Sequence, residues 1–326
     1  MVLTIPDWQP RAPLQAVRFD WAEKAAVDLA VLRLDLLDPL ICGNKWFKLR
    51  PYLQQAQQLG ATGVISLGGA HSNHLYALAA AGQRFGFATV GLLRGDPQET
   101  PTVADLRRFG MQLHWLGYGG YRARHEEEFK NRWLQRYPGF YLIAEGGCGA
   151  SGASGCTAIM QILEAGLPEI GWSDYDALWL AVGTGTTLAG LVLAEAGRHP
   201  LYGARVVPAG YGVESRISQI LQQAGIRDSG YCLFDASRGG YARIDEPLAQ
   251  LIRDMDTDGQ LPVEACYTGK ALLALSEQVR AGFFARGTRL VFLHTGGMQG
   301  RRAQQPSLQA FAGPVPQTSQ PRCAIS

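Results

Sequence analysis

Paired cysteines are missing from this chain. Its six cysteines, Cys42, Cys148, Cys156, Cys232, Cys266 and Cys323, are scattered with no C-x-x-C spacing. That pattern excludes a zinc ribbon and argues against a disulfide framework. An excess of one charge is missing too: 30 basic residues face 28 acidic ones, a formal charge of +2. No electrostatic footprint for nucleic acid or a membrane surface follows from that balance. No basic stretch followed by an apolar run opens the sequence, so no secretory signal is expected and a soluble, cytoplasmic protein is. One uncharged run, Ala177 to Ala194, approaches the ~18 residues of a membrane span. Gly183-Thr184-Gly185-Thr186-Thr187 sits at its centre, and a strand, a loop and a helix in succession explain it better.

What the chain has is a sizeable core and many glycines. Of its 326 residues 47% are hydrophobic and 18% charged, enough for one large domain or two modest ones. The 40 glycines exceed the usual ~7% share without a collagen period, which points to tight turns and close backbone approaches. Short apolar runs predict strands at Val31–Leu36, Gly63–Leu67, Thr89–Leu93, Gln112–Leu116, Phe140–Ile143, Ala177–Val182, Arg205–Pro208 and Arg289–Leu293. Longer amphipathic runs between them predict helices, among them Trp46–Leu59 (with Pro51 inside), Asn73–Phe85, Thr187–Ala196 and Gly269–Ala281. Such alternation implies an α/β chain with parallel sheets flanked by helices. Ligands in such folds gather at the carboxyl ends of strands. After Gly297 the sequence turns polar and Pro-rich, and reads as a loose extension.

Four strand-to-helix junctions carry candidate chemistry. In Gly43-Asn44-Lys45-Trp46-Phe47-Lys48, Asn44 is a plausible helix N-cap and Lys45 falls in the first turn. There the helix dipole disfavours a cation and leaves more of the neutral amine that a Schiff-base lysine needs. A surface lysine beside a cap is the bland alternative, and Lys48 is an equal candidate by spacing. In Gly68-Gly69-Ala70-His71-Ser72-Asn73-His74, polar side chains sit at a helix start where free N–H groups favour anions; Ser72 or Asn73 acting only as a cap explains it equally. No carboxylate or thiol lies near His71 and His74, so no metal is expected.

Gly183-Thr184-Gly185-Thr186-Thr187 makes a phosphate cradle, or else merely a tight turn. Leu188 stands where a dinucleotide fingerprint needs glycine, and no Gly-Lys-Ser/Thr follows. Last, Phe292-Leu293-His294-Thr295-Gly296-Gly297 ends a strand with a neutral hydroxyl at Thr295, and His294 reads as well as a core histidine as a catalytic one. Tyr267, before a helix, either faces a cleft or packs. The glycine-rich stretch from Gly146 to Gly155 fails as a nucleophile elbow because Ala153 replaces the glycine it requires.

Taken in order from Lys45 to Gly297, these motifs resemble the 1-aminocyclopropane-1-carboxylate deaminase/D-cysteine desulfhydrase family. Its members are pyridoxal-phosphate enzymes of the tryptophan synthase β-like fold (fold type II), with two open, mostly parallel twisted sheets flanked by helices. The resemblance implies a large domain from residues 1–47 and 156–326, with a loose tail from about 300, and a smaller inserted domain at 48–155. It implies pyridoxal 5'-phosphate joined to Lys45 and hydrogen-bonded by Asn73. Its phosphate would lie on Gly183, Thr184, Gly185, Thr186 and Thr187, and its ring nitrogen would meet Thr295.

Ser72 and Tyr267 would act catalytically beside Lys45. Ser72, Asn73, His74, Tyr267 and Phe292 would line a small amino-acid substrate, and no metal is implied. Phe292 replaces a tyrosine of the ring-opening members, which favours the desulfhydrase-like branch. The expected activity is elimination from a small β-substituted amino acid, D-cysteine foremost, giving a 2-oxo acid, ammonia and sulfide. A threonine at the ring nitrogen, unlike an aspartate, agrees with elimination. The family implies a homodimer. Alternatives are a 1-aminocyclopropane-1-carboxylate deaminase, a pyridoxal-phosphate protein without turnover and a nicotinamide-dependent oxidoreductase.

Overall fold

The computed structural model describes residues 2–259 and 261–311. Ten strands form two sheets: β1 Leu14–Val17, β2 Asp28–Arg33, β3 Gly63–Gly68, β4 Ala88–Leu93, β5 Gln112–Trp115, β6 Phe140–Leu142, β7 Ala177–Val182, β8 Leu201–Arg205, β9 Tyr231–Asp235 and β10 Arg289–His294. The larger sheet runs β1-β2-β10-β7-β8-β9 and the smaller β5-β4-β3-β6. β1 lies antiparallel on β2; every other pairing is parallel. The architecture is therefore the α/β one expected, two mostly parallel sheets covered by helices.

Coverage on both faces shows in the strands themselves. All six residues of β3 and of β7 are buried, as parallel strands under helices require. In β3 the faces divide cleanly. Val64 joins the main core, while Ile65 and Leu67 join a second cluster with Val90, Leu92, Phe129 and Trp133 on the outer side of the small sheet. The uncharged run from Ala177 resolves as β7, a turn and the helix Thr186–Glu195. No helix among the described residues is long and apolar enough to cross a membrane.

Several boundaries differ from the sequence expectation. β2 ends at Arg33, and Leu34–Leu36 is a 3-10 turn in which Asp35 folds back onto the Arg33 guanidinium at 2.6 Å. β8 lies upstream of the predicted Arg205–Pro208 and shares only Arg205 with it. β1, β9 and the helix Glu246–Asp258 lie outside the expected elements, although Leu248, Leu251, Ile252 and Met255 of that helix repeat at helical spacing. The supposed loose extension is ordered at its start, with Met298–Ala303 and Gln305–Gln309 both helical. Gln299 Nε2 holds Asn73 Oδ1 at 3.0 Å and Gln304 Nε2 holds Glu264 Oε2 at 3.2 Å. Residues 312–326, with Cys323, lie outside the described residues.

Pro51 does not break the helix Lys45–Gln58. A proline leaves the carbonyl four residues back without its helical donor, here Phe47 O. The helix Ala150–Cys156 crosses at that point with Gly155, where an added Cβ would lie 2.0 Å from Phe47 O and 2.7 Å from the Pro51 ring. The glycine run from 146 to 155 therefore serves close packing between the lysine-bearing helix and its neighbours. Gly155→Ala is expected to destabilise the protein by ~1–3 kcal/mol, the usual cost of overpacking against atoms that cannot move. Denaturant unfolding measures it, and an unchanged midpoint would remove the close approach as a constraint.

Candidate active site

The helix Lys45–Gln58 starts where it does because Gly43 and the end of β10 touch backbone to backbone. Asn44 N donates to Thr295 O at 3.1 Å. Gly43 holds φ +77, and a Cβ there would lie 2.3 Å from Thr295 O, so only glycine fits. Asn44 does not cap the helix as expected; it is itself helical (φ −66) with no capping hydrogen bond. Its amide instead bridges two halves of the site. Nδ2 donates to Thr187 Oγ1 at 2.9 Å, and Oδ1 accepts from Lys45 Nζ at 2.8 Å.

One turn on, Lys48 Nζ donates to Thr184 Oγ1 at 3.2 Å. The glycine–threonine turn after β7 is thus brought to both lysines. Thr184 and Thr186 hydroxyls lie 3.2 Å apart, and Arg216 Nε donates to Thr184 O at 3.2 Å. Free amides at the start of the helix Thr186–Glu195, three threonines and two nearby cations make an anion cradle. Sequence spacing flagged Lys48 only as a substitute for Lys45, and it did not flag Arg216.

Burial pushes the Lys45 amine down to about 7, and the charge of Lys48 beside it pushes the same way. Lys48 is lowered by burial as well. Burial and a second lysine thus favour the neutral amine expected of Lys45. Tyr267 covers this amine: Lys45 Nζ stands 6.0 Å from its ring centroid, and the ring edge is 3.0 Å from where a Cβ on Gly183 would be. Burial raises the Tyr267 phenol far above its ordinary range, so it is a hydrogen-bond donor at neutral pH and not a base.

Ser72 caps the helix Asn73–Phe85, its Oγ accepting from Leu75 N at 3.2 Å; its own hydrogen stays free for another partner. Asn73 is half-buried against the late turn, with Oδ1 on Gln299 and Nδ2 3.1 Å from where a Cβ on Gly297 would be. Thr295 directly follows β10. Glu264, buried nearby, spends its carboxylate on the amides of Cys266, Tyr267 and Thr268 at 2.7, 2.7 and 2.8 Å, which fixes where Tyr267 begins its helix.

Two candidate substrate residues need correction. His74 is buried and its Nε2 lies 2.8 Å from Ser66 Oγ. Ser66 donates its single hydrogen to Ile143 O at 3.0 Å, so His74 must donate Nε2–H. Burial, then the two lysines, push it down to about 3, and the neutral ring packs beneath Gly147 rather than lining a cleft. Phe292 is wholly enclosed in the large sheet, its ring 6.5 Å from that of His294, with no surface for a substrate. His294 is a core histidine, with Nε2 on Pro262 O at 2.9 Å.

The family model described as "Pyridoxal-phosphate dependent enzyme" matches residues 11–296. The chain belongs to that family. A Pyrococcus horikoshii protein provisionally named a 1-aminocyclopropane-1-carboxylate deaminase is 28% identical over 301 residues, covering 86% of this chain and 87% of the relative. An Arabidopsis thaliana protein named a bifunctional D-cysteine desulfhydrase/1-aminocyclopropane-1-carboxylate deaminase is 23% identical over 294 residues, covering 84% and 73%. A crystal structure described as an ACC deaminase homologue superposes with a TM-score of 0.79 at 24% identity, covering 95% of this chain and 96% of the other. The nicotinamide alternative falls with the family.

The residues of this pyridoxal-phosphate dependent enzyme fit its cofactor. A dry, half-neutral amine stands on Asn44, two hydrogen bonds from Thr187 in the cradle, and a second cation reaches Thr184. Titrating the reaction of pyridoxal phosphate with the cofactor-free chain is expected to show a midpoint near pH 7, the amine being protonated and unreactive below it. Lys48→Met removes a like charge and shifts that midpoint upward. A midpoint that stays put would leave burial as the sole cause of the depressed Lys45 value.

Proposed function

We propose that this enzyme eliminates the β-substituent of a small amino acid, with D-cysteine as the leading substrate. Cysteine and water would give pyruvate, ammonia and hydrogen sulfide. The observation that carries the reading is the placing of Lys45 Nζ between the cradle and the Tyr267 ring, so that one molecule can touch all three. When bound, pyridoxal phosphate supplies the electron sink for a carbanion at the substrate Cα.

Lys45 would hold the cofactor covalently, with its phosphate on Lys48, Thr184, Thr186, Thr187 and the amides of residues 183–187. Asn73 would meet its phenolic oxygen and Thr295 its ring nitrogen. Lys45 Nζ would take the proton from the substrate Cα, since an amine lowered to about 7 by burial is matched to neutral pH. The free amides and the Ser72 hydroxyl at the start of the helix Asn73–Phe85 hold the substrate carboxylate. Tyr267, kept protonated by burial, donates its hydrogen bond to the departing sulfur. Thr295 offers the ring nitrogen a neutral partner, which suits loss of a good leaving group better than prolonged storage of charge on the ring.

The names of the Pyrococcus and Arabidopsis relatives favour a second reading, ring opening of 1-aminocyclopropane-1-carboxylate to 2-oxobutanoate and ammonia. Phe292, enclosed in the sheet, does not reach the site and does not decide between the two readings. By family resemblance we also propose that the protein works as a homodimer in the cytoplasm.

A panel of D- and L-amino acids with 1-aminocyclopropane-1-carboxylate separates the readings. Sulfide and pyruvate from D-cysteine are expected; 2-oxobutanoate as the main product would replace the first reading with the second. Lys45→Ala is expected to abolish the visible-violet absorbance band and turnover together. A retained band would move the covalent role to Lys48.

A further inference from the structure

Between β9 and the helix Glu246–Asp258 the chain runs without regular structure, yet it is held firmly. The wholly buried Lys270, on the helix Thr268–Arg280, donates from its one ammonium to three carbonyls of this segment: Ser237 O at 2.7 Å, Gly240 O at 2.5 Å and Tyr241 O at 3.0 Å. Arg238 holds a left-handed φ of 54 and ties the segment to Asp245 at 2.7 Å and to Glu277 at 2.9 Å. A buried ammonium satisfied by three carbonyls fixes backbone position tightly, since each is costly to leave unpaired. Lys270 lies one helical turn after Tyr267, so the strap and the site share a helix.

The strap delivers one side chain to the site. Tyr241 Oη lies 2.8 Å from Tyr267 Oη, with the rings edge to face at 5.6 Å and 75°. We propose that Tyr241 is a positioning residue for Tyr267: its phenol donates to Tyr267 Oη, and Tyr267's own hydrogen is thereby turned toward the substrate. This rests on the reading above, in which Tyr267 faces the substrate.

The direction of donation has a physical basis. One hydrogen lies between the two oxygens at 2.8 Å, and either phenol can supply it. In the reading above Tyr267 gives its own hydrogen to the substrate, so the hydrogen in this bond comes from Tyr241 and the Tyr267 oxygen accepts it. A hydroxyl that accepts becomes a stronger donor through its own hydrogen, and Tyr267 gains that strength without bearing charge. Were the order reversed, its hydrogen would point away from Lys45 and the phenol would offer a substrate only an acceptor.

Tyr241→Phe, Tyr267→Phe and the double variant test the inference, each loaded with cofactor and assayed on the best substrate of the amino-acid panel. Tyr241→Phe is expected to lower kcat by roughly 3- to 10-fold, as loss of one neutral hydrogen bond does, with KM little changed. It should retain wild-type amide exchange over residues 236–245 and a wild-type unfolding midpoint, since Lys270 holds the segment. In the Tyr267→Phe background it should cost nothing further, because coupled residues are non-additive. Equal losses in both backgrounds would overturn the proposal, as would a normal Tyr241→Phe beside a slow Tyr267→Phe. Loss of exchange protection in Tyr241→Phe would do so as well, by showing a structural role. A Tyr267→Phe enzyme as fast as wild type would instead sink the assignment of Tyr267 to the substrate side, and this inference with it.

Discussion

Two lysines one helical turn apart are kept out of water at the start of one helix, and the character of the site follows from the charge they cannot both carry. An ammonium loses solvation on burial, and a like charge nearby adds to the cost. Lys48 keeps a place for its proton by reaching Thr184 Oγ1, beside an anion cradle. Among the described residues Lys45 Nζ has one hydrogen-bond acceptor, the Asn44 side-chain carbonyl, and its value falls to about 7. The division of labour follows: Lys48 is placed to pair with an anion on the cradle, and Lys45 is left as a base. An anion on the cradle would offset the burial of Lys48 and lower the cost of holding both lysines where they are.

That arrangement is assembled by contacts of backbone on backbone. Gly43 lies on Thr295 at the end of β10, and Gly155 lies on the bare Phe47 carbonyl behind Pro51. The first contact aligns the lysine helix with the large sheet; the second lets a short glycine-rich helix slip in close beside it. Side chains contribute the finer joints, above all Asn44, whose two ends hold a lysine and a threonine that are 142 residues apart in the chain (187 minus 45). An amide is suited to this place because it donates and accepts at once and carries no charge to perturb the amine beside it.

The sequence made the alternation of strands and helices legible, since strands such as β3 and β7 are apolar throughout and the junction glycines mark where the chain turns. It also made legible the junctions that meet in the structure: the Asn44 amide joins Lys45 to Thr187, and Tyr267 lies against Gly183 and Lys45. What it hid were partners supplied from afar. Gln299 reaches Asn73 from a stretch whose polarity and prolines suggest a loose tail, and Tyr241 reaches Tyr267 from a segment with no periodicity at all. The helix Glu246–Asp258 did leave a signal, because Asp245 caps it, accepting from Leu248 N at 3.2 Å, with Pro247 in its first turn. His74 and Phe292 misled for a common reason: position in a motif indicates which junction a residue belongs to, not which face of the junction its side chain occupies.

Burial around the site pushes one group after another toward its uncharged form. His74 is driven down to about 3; Cys42 and Cys156 are raised and Cys266 is pushed up to about 12; Tyr241 and Tyr267 remain phenols. Positive charge is left at the cradle end, at Lys48 and the guanidinium of Arg216, while the substrate end is lined by neutral donors. A ligand with an anionic tail and a delocalised ring therefore has one favoured orientation, tail to the cations and ring toward Lys45. Neutral thiols nearby are weak nucleophiles and compete poorly with Lys45 for an aldehyde. The same dehydration that frees the Lys45 amine thus silences its rivals, so selectivity for one lysine and reactivity of that lysine have a single physical origin.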